Sequence, residues 1–229
     1  MESYIYIILL IVTIILFKYI FKINYKKAKK IQENKELEKI TDKFPENIKI
    51  AEQMLDMLNN KNVKIVEAKD TKTSLYIAIT NKIIIADMKN NYARIQTIAH
   101  ECLHSCQDRF ILLFNFIFSN FNMLYFFIIS ILTICKVIHN EMFQIAILML
   151  FTLIQFTIRA FLEIDAMTRS RFLAKEYIEK QNLCTEEEKN NLLNEYKKIN
   201  KLGIPFVIDN LLTEGLMKIL IYIIIAKVV

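Results

Sequence analysis

Glycine and proline are nearly absent, with two of each in 229 residues. So few chain breakers exclude a design built from many tight turns, such as an all-β sandwich, and favour long helices. The four cysteines, Cys102, Cys106, Cys135 and Cys184, form no CxxC pair and no secreted-domain framework. Reduced thiols in a cytoplasm-facing protein are the expectation. No lysine or arginine precedes the first apolar run and no small-residue cleavage site follows it, so an uncleaved anchor is expected there rather than a signal peptide. Histidine is scarce too. Of His100, His104 and His139, two fall in one short motif.

What the chain has in quantity is apolar side chains, 54% of its residues, gathered in blocks rather than spread at amphipathic spacing. That is the distribution of a membrane protein. The net charge of +6 does not call for a nucleic-acid partner. Lys18, Lys22, Lys26, Lys27, Lys29 and Lys30 crowd beside the first apolar block, where they set topology and meet lipid head groups. Membrane lipids are the expected partners, and nucleic acid is not.

The blocks divide the chain. Residues 1–23 read as an N-terminal transmembrane anchor, since about 20 apolar residues span a hydrocarbon core of roughly 30 Å. Residues 24–108 are polar and folded. They comprise a charged helix over 26–43 ended by Phe44-Pro45, and an amphipathic helix over 46–60 carrying Ile50, Met54, Met57 and Leu58 on one side. Strands follow at 63–68, 75–80 and 83–87, the last two linked at Asn81-Lys82, then a helix from near Asn91. Residues 109–158 hold two apolar blocks, 110–135 and 142–158, expected to cross as a hairpin. Residues 159–203 are charged and helical. Residues 204–229 are apolar again but carry Asp209, Glu214 and Lys218, with Glu214 and Lys218 spaced to pair on one helix face. Positive-inside bias puts both polar regions in the cytoplasm, where they can form one domain.

The segment His100-Glu101-Cys102-Leu103-His104 is an HExxH sequence. Histidines four apart on a helix stand about one 5.4 Å turn apart on the same face, so both imidazoles can bind one Zn²⁺ at about 2.0–2.1 Å. Glu101 beside them can take a proton from a metal-held water and deliver it to a leaving amine. Chance produces this pattern in such a chain roughly three times in a thousand. Cys102 and Cys106 lie about 200° round the helix from the histidines and are expected to pack.

A catalytic zinc needs a third protein ligand. His139 lies between the apolar blocks, on the far side of the predicted membrane. The metzincin position for a third histidine is occupied by Phe110. A carboxylate after the second block remains, and Glu163 is the best candidate. A membrane hairpin brings its helix end beside the motif, and Ala160 and Ala166 flank it on one face. Asp165 is a rival ligand, and Glu163 can also be read as a solvated surface acid. Asp108, a turn beyond His104, is placed to accept from an imidazole N–H.

The pattern His100-Glu101-x-x-His104-x-x-Gln107, after a strand-rich segment and before two spans followed by Glu163-x-x-Ala166, resembles the YugP-like family of bacterial zinc-dependent membrane proteases. The resemblance covers most of the chain. It implies one zinc per chain on His100, His104 and Glu163, with Glu101 as catalytic acid/base. Gln107 joins Asp108 as a candidate to hold an imidazole from behind.

The expectation is therefore an α-rich integral membrane protein, with three or four transmembrane helices carrying a small α+β zincin-like metalloprotease domain. It is expected in the cell membrane as a multi-pass protein with its catalytic site on the cytoplasmic side. Its substrates are expected to be membrane or juxtamembrane proteins. Strand 83–87 reads either as an exposed edge to which a peptide adds or as a buried strand feeding the motif helix. The alternatives are a catalytically silent membrane scaffold of the same fold, and an electrostatic membrane-surface or nucleic-acid binder using the lysines of residues 18–43.

Overall fold

The computed structural model describes residues 2–24, 26, 34–68, 71, 73–88 and 91–228. The chain is mostly helical with one small sheet. Its elements are α1 (Glu2–Ile20), α2 (Lys35–Thr41), α3 (Asn47–Met57), β1 (Lys64–Ala68), β2 (Leu75–Ile77), β3 (Lys82–Ala86), α4 (Arg94–His104), α5 (Arg109–Ile134), α6 (Glu141–Gln181) and α7 (Glu186–Val228). Most of the N-terminal half of the charged helix expected over 26–43 lies outside the described residues. Two compact units form, one from Asn24–Leu112 with Leu162–Ile204 and one from Met1–Ile23, Leu113–Phe161 and Pro205–Val229.

In the first unit, Asn34 caps α2 by accepting from the backbone N–H groups of Glu36 and Leu37 at 3.2 and 3.3 Å, satisfying donors that the first helical turn leaves unpaired. On α3, Ile50 and Met54 sit in the core with Ala51 and Leu55, while Met57 and Leu58 pack at its edge. The sheet order is β1-β3-β2, with β1 parallel and β2 antiparallel to β3. The edge reading of strand 83–87 is thereby overturned: β3 is central because β1 and β2 hydrogen-bond to its two sides, and Ile83 and Ile85 are fully buried in the core. The hairpin link is also longer than expected. Residues 78–81 turn and Lys82 already belongs to β3. Asn81 takes a left-handed φ of 48°, a conformation asparagine tolerates better than most residues. Its side chain donates to the Asn62 carbonyl and accepts from the Tyr76 hydroxyl, each at 2.9 Å.

The buried Arg94 ties the start of α4 to the α2–α3 connection. One guanidinium nitrogen donates to the Pro45 carbonyl at 2.8 Å and to Asn47 Oδ1 at 3.0 Å, the other to the Thr41 and Phe44 carbonyls at 2.6 and 3.0 Å. The guanidinium thus meets carbonyl dipoles, including those at the C-terminal end of α2, where a cation is favoured. Arg94→Met is expected to cost about 3 kcal/mol or more, since each buried polar group left unsatisfied costs ~1–3 kcal/mol. Arg94→Lys should recover little of it, because an ammonium cannot reproduce the fork. Thermal melts in detergent check this, and unchanged midpoints for both variants would remove the clamp.

The charged region after residue 159 is helical as expected, and two helices carry it. α6 runs on without a break to Gln181, and α7 restarts after the turn at residues 182–185. Thr185 and Glu188 cap α7 reciprocally: Thr185 Oγ1 accepts from the Glu188 N–H at 3.2 Å, and Glu188 accepts from the Thr185 N–H at 3.0 Å, a capping box. Ala166, Leu173, Ala174 and Tyr177 of α6 and Leu192 and Tyr196 of α7 close the same core as α4. Tyr196 donates to the Tyr92 carbonyl at 2.9 Å, and Gln96 donates to Asn200 at 2.6 Å.

The second unit packs around Phe126, Ile129, Leu148, Ile219, Tyr222 and Ile223. Among the described residues, two helices, α5 and α6, are long and apolar enough to cross a membrane. Only 28% and 22% of their apolar windows are buried within the chain, whereas the core helix of a soluble protein is mostly covered. The apolar part of α1, Tyr4–Ile20, is shorter.

Candidate metal centre

Helix α4 presents two faces of opposite character. Ile95, Ile98, Ala99, Cys102 and Leu103 are buried in the core. His100 and His104, one turn apart, are only partly covered at 19% and 12% side-chain exposure. Their Nε2 atoms stand 3.0 Å apart, with the rings edge-on at 85°. Glu163 on α6 brings one carboxylate oxygen to 3.4 Å from His100 Nε2 and 3.7 Å from His104 Nε2. These three side chains form a group that could hold a metal ion. A tetrahedral ion bonded at about 2.0–2.1 Å requires ligand-to-ligand edges of about 3.3–3.4 Å, and the observed triangle brackets that length.

The protons on His104 can be assigned from its neighbours. Gln107 Nε2 donates to the Leu162 carbonyl at 2.7 Å and to Asp165 Oδ2 at 3.0 Å, so its amide oxygen is the end that faces His104 Nδ1, at 2.8 Å. Nδ1 therefore carries the hydrogen, and in the neutral ring Nε2 presents a lone pair. Two imidazole lone pairs and a carboxylate oxygen then converge on one point. Such a cluster must share a proton or surround a cation.

The charges behave accordingly. Burial pushes the Glu163 carboxyl up, but hydrogen bonds from His100 and His104 outweigh it and hold the group well below the usual carboxylate range. Burial pushes His104 down, yet the hydrogen bond and charge of Glu163, with Gln107 behind, leave it above the ordinary imidazole value. Glu101 is buried, at 6% exposure. That burial raises its carboxyl, against the lowering effects of both histidines and a backbone hydrogen bond from Tyr76 of β2.

Of the candidates from sequence, His100, His104 and Glu163 converge, Glu101 sits beside them, and Gln107 backs His104. Asp108 does not reach an imidazole. It accepts from the Ile111 N–H at 3.0 Å and caps α5, because α4 ends at His104 and the chain has already turned away. Asp165 points elsewhere too, taken up by Gln107 and by Arg169 at 3.5 Å. Cys102 packs as expected, but Cys106 is exposed, since it lies past the helix end where helical angles no longer apply. Two supports were missed from sequence. One is the Tyr76 backbone. The other is Asn60, whose amide donates to the carbonyl and hydroxyl oxygens of Ser105, both at 3.0 Å, and fastens the end of α4. Neither leaves a signal in local spacing.

Gln107→Leu is expected to weaken metal binding 10–100-fold, the usual cost of losing a partner that orients a ligating imidazole. Competition with a chromogenic chelator reads this directly, and an unchanged affinity would deny Gln107 that part.

No protein-family model, curated protein or solved structure matches this chain. What the site can do is decided by its own chemistry.

Proposed function

We propose that the chain is a membrane-bound zinc metalloendopeptidase of the YugP-like kind, hydrolysing peptide bonds of membrane-associated proteins on the cytoplasmic side. The observation that carries this reading is the triangle of His100, His104 and Glu163 donor atoms, with edges of 3.0, 3.4 and 3.7 Å. Two nitrogens and one carboxylate oxygen with a position left open form the donor set of a catalytic rather than a structural zinc. Zinc bound there supplies a Lewis acid that lowers the pKa of water toward about 7.

The remaining chemistry belongs to the chain. Glu101 is not part of the triangle, and burial raises its carboxyl above the ordinary value, which makes it a stronger proton acceptor when ionised. It takes a proton from the attacking water and hands it to the leaving amine. The Tyr76 N–H and the surrounding core hold that carboxylate in one position. Gln107 fixes His104 in the tautomer that offers Nε2. The strand beside Glu101 is β2, which among the described residues has a sheet partner only on its β3 side, so an extended peptide can add along its other edge through backbone hydrogen bonds and little side-chain preference.

The membrane setting is supported by α5 and α6 and by the outward-facing apolar side chains along them, such as Ile117, Phe121, Leu124, Ile131 and Leu153. On this reading α1 and the end of α7 complete a bundle of three or four spans, and the lysines beside α1 mark the cytoplasmic side. A catalytically silent scaffold has no use for a buried Glu101 held beside the ligands. The test is metal analysis of the detergent-purified chain with a broad peptide-cleavage assay. About one zinc per chain is expected, with cleavage abolished by a chelator and restored by zinc. Cleavage indifferent to chelation would end the proposal.

A further inference from the structure

The turn between β2 and β3 presents an apolar tip that the proposed hydrolysis does not use. Ile79 stands in it at 49% exposure, and Phe110, on the first turn of α5, is exposed at 77%. Hydrogen bonds keep the turn on the same side of the first unit as the corner between α4 and α5. Asn81 donates to the Asn62 carbonyl and accepts from the Tyr76 hydroxyl, each at 2.9 Å. Asn60, two residues before Asn62, donates to the Ser105 carbonyl at 3.0 Å. Burial pushes the Tyr76 hydroxyl up, and the nearby charge of Arg109 opposes it. Ile79 and Phe110 thus belong to one end of the unit.

That end is basic. Lys64 opens β1, its register partner Lys82 opens β3, and Arg109 opens α5. Lys61 adds a fourth cation. Against these stand Asp56, 3.5 Å from Lys61, and Asp108, which caps α5. An apolar tip ringed by cations matches a lipid surface, whose acyl region takes the apolar side chains while its anionic head groups meet the cations. The level in the bilayer fits, on the membrane reading above. The 26 residues of α5 rise about 39 Å, close to the roughly 40–45 Å of a bilayer with its head groups. From Phe110 to Ile134 the helix carries no charge. Arg109 therefore stands among head groups, and Phe110 at the acyl boundary.

We propose that the β2–β3 turn is a membrane anchor: Ile79 inserts with Phe110 into the cytoplasmic leaflet, and Lys64, Lys82 and Arg109 bind the head groups of anionic phospholipids. β2 runs into this turn. On the peptidase reading above, its other edge therefore takes peptide segments that lie against the bilayer.

The chain contains no tryptophan, so Ile79→Trp gives a single fluorophore. The full chain carrying it is reconstituted into vesicles of phosphatidylcholine and phosphatidylglycerol, beside Leu183→Trp, an exposed position between α6 and α7. Release from the vesicles by carbonate would overturn both the membrane reading and the anchor. In the retained protein, brominated acyl chains are expected to quench Ile79→Trp at a depth of about 5–10 Å into the head-group and acyl boundary. Iodide should quench only Leu183→Trp. Adding Lys64→Gln and Lys82→Gln should lower the inserted-to-free ratio about fivefold per cation in vesicles containing phosphatidylglycerol, and leave it unchanged in pure phosphatidylcholine. Equal iodide access at both positions would overturn the proposal. So would shielding of Ile79→Trp from both quenchers, the result of a second copy covering the tip. Cleavage tests the consequence for substrates. Ile79→Asp removes the burial of one isoleucine and should cut a vesicle-tethered peptide about tenfold more slowly relative to a soluble one. An unchanged ratio would remove the turn from substrate placement. If the wild type cleaves neither peptide, the peptidase reading fails, while the quenching result still decides the anchor.

Discussion

Glu101→Gln is expected to hold zinc as the wild type does and to hydrolyse peptides about 10²–10⁴-fold more slowly, the range that a positioned general acid/base contributes. At 1.36 kcal/mol per factor of ten this is about 3–5 kcal/mol of the barrier. The substitution keeps the shape of the side chain and an oxygen to accept from Tyr76, but the amide cannot take a proton from water. The three donor atoms of the triangle are untouched, because Glu101 is not among them. Measuring kcat/KM beside zinc content separates the two roles. Equal cleavage by both proteins would refute the proton-transfer role. Loss of zinc would mean that Glu101 helps to hold the metal.

His104→Ala and Glu163→Ala should each lose metal, with affinity falling by more than the 10–100-fold expected for Gln107→Leu. Asp165→Asn, two residues from Glu163, should stay loaded, because Asp165 is engaged by Arg169 and Gln107. The same experiment reads stability. Metal at a thousand times its dissociation constant stabilises the folded state by about 4 kcal/mol, so chelation should lower the melting temperature of the wild type and of Asp165→Asn. It should leave His104→Ala and Glu163→Ala where they were. A chelator shift that persists in Glu163→Ala would take the carboxylate out of the site.

Acid should also unload the metal. In the metal-free chain Glu163 and Gln107 hold a proton on His104 to a higher pH than an ordinary imidazole keeps it, and that proton must leave before Nε2 can bind. Affinity should therefore fall about tenfold per pH unit below the raised value and level off above it. Zinc titrations across pH 5 to pH 9 check the slope, and a flat profile would contradict the raised proton affinity of His104.

The helical character of the chain, its apolar blocks and the HExxH face were legible in the linear order of residues. Each depends on neighbours a few positions apart: residues 100 and 104 share a helix face whatever surrounds them, and a run such as 110–134 is predominantly apolar and carries no charge. The tertiary structure decided everything that joins distant segments. Glu163 and Asp165 follow the same block two residues apart, and only the packing of α6 against α4 turns the first toward the histidines and the second toward Gln107 and Arg169. Gln107 rather than Asp108 reaches His104 because α4 stops at residue 104 and the chain bends. β3 is central because β1, some 18 residues earlier in the register, pairs along its far side. Local order specifies which way a side chain can point along its own helix or strand. Which partner it meets depends on contacts between segments far apart in the chain, and those are fixed only when the core closes.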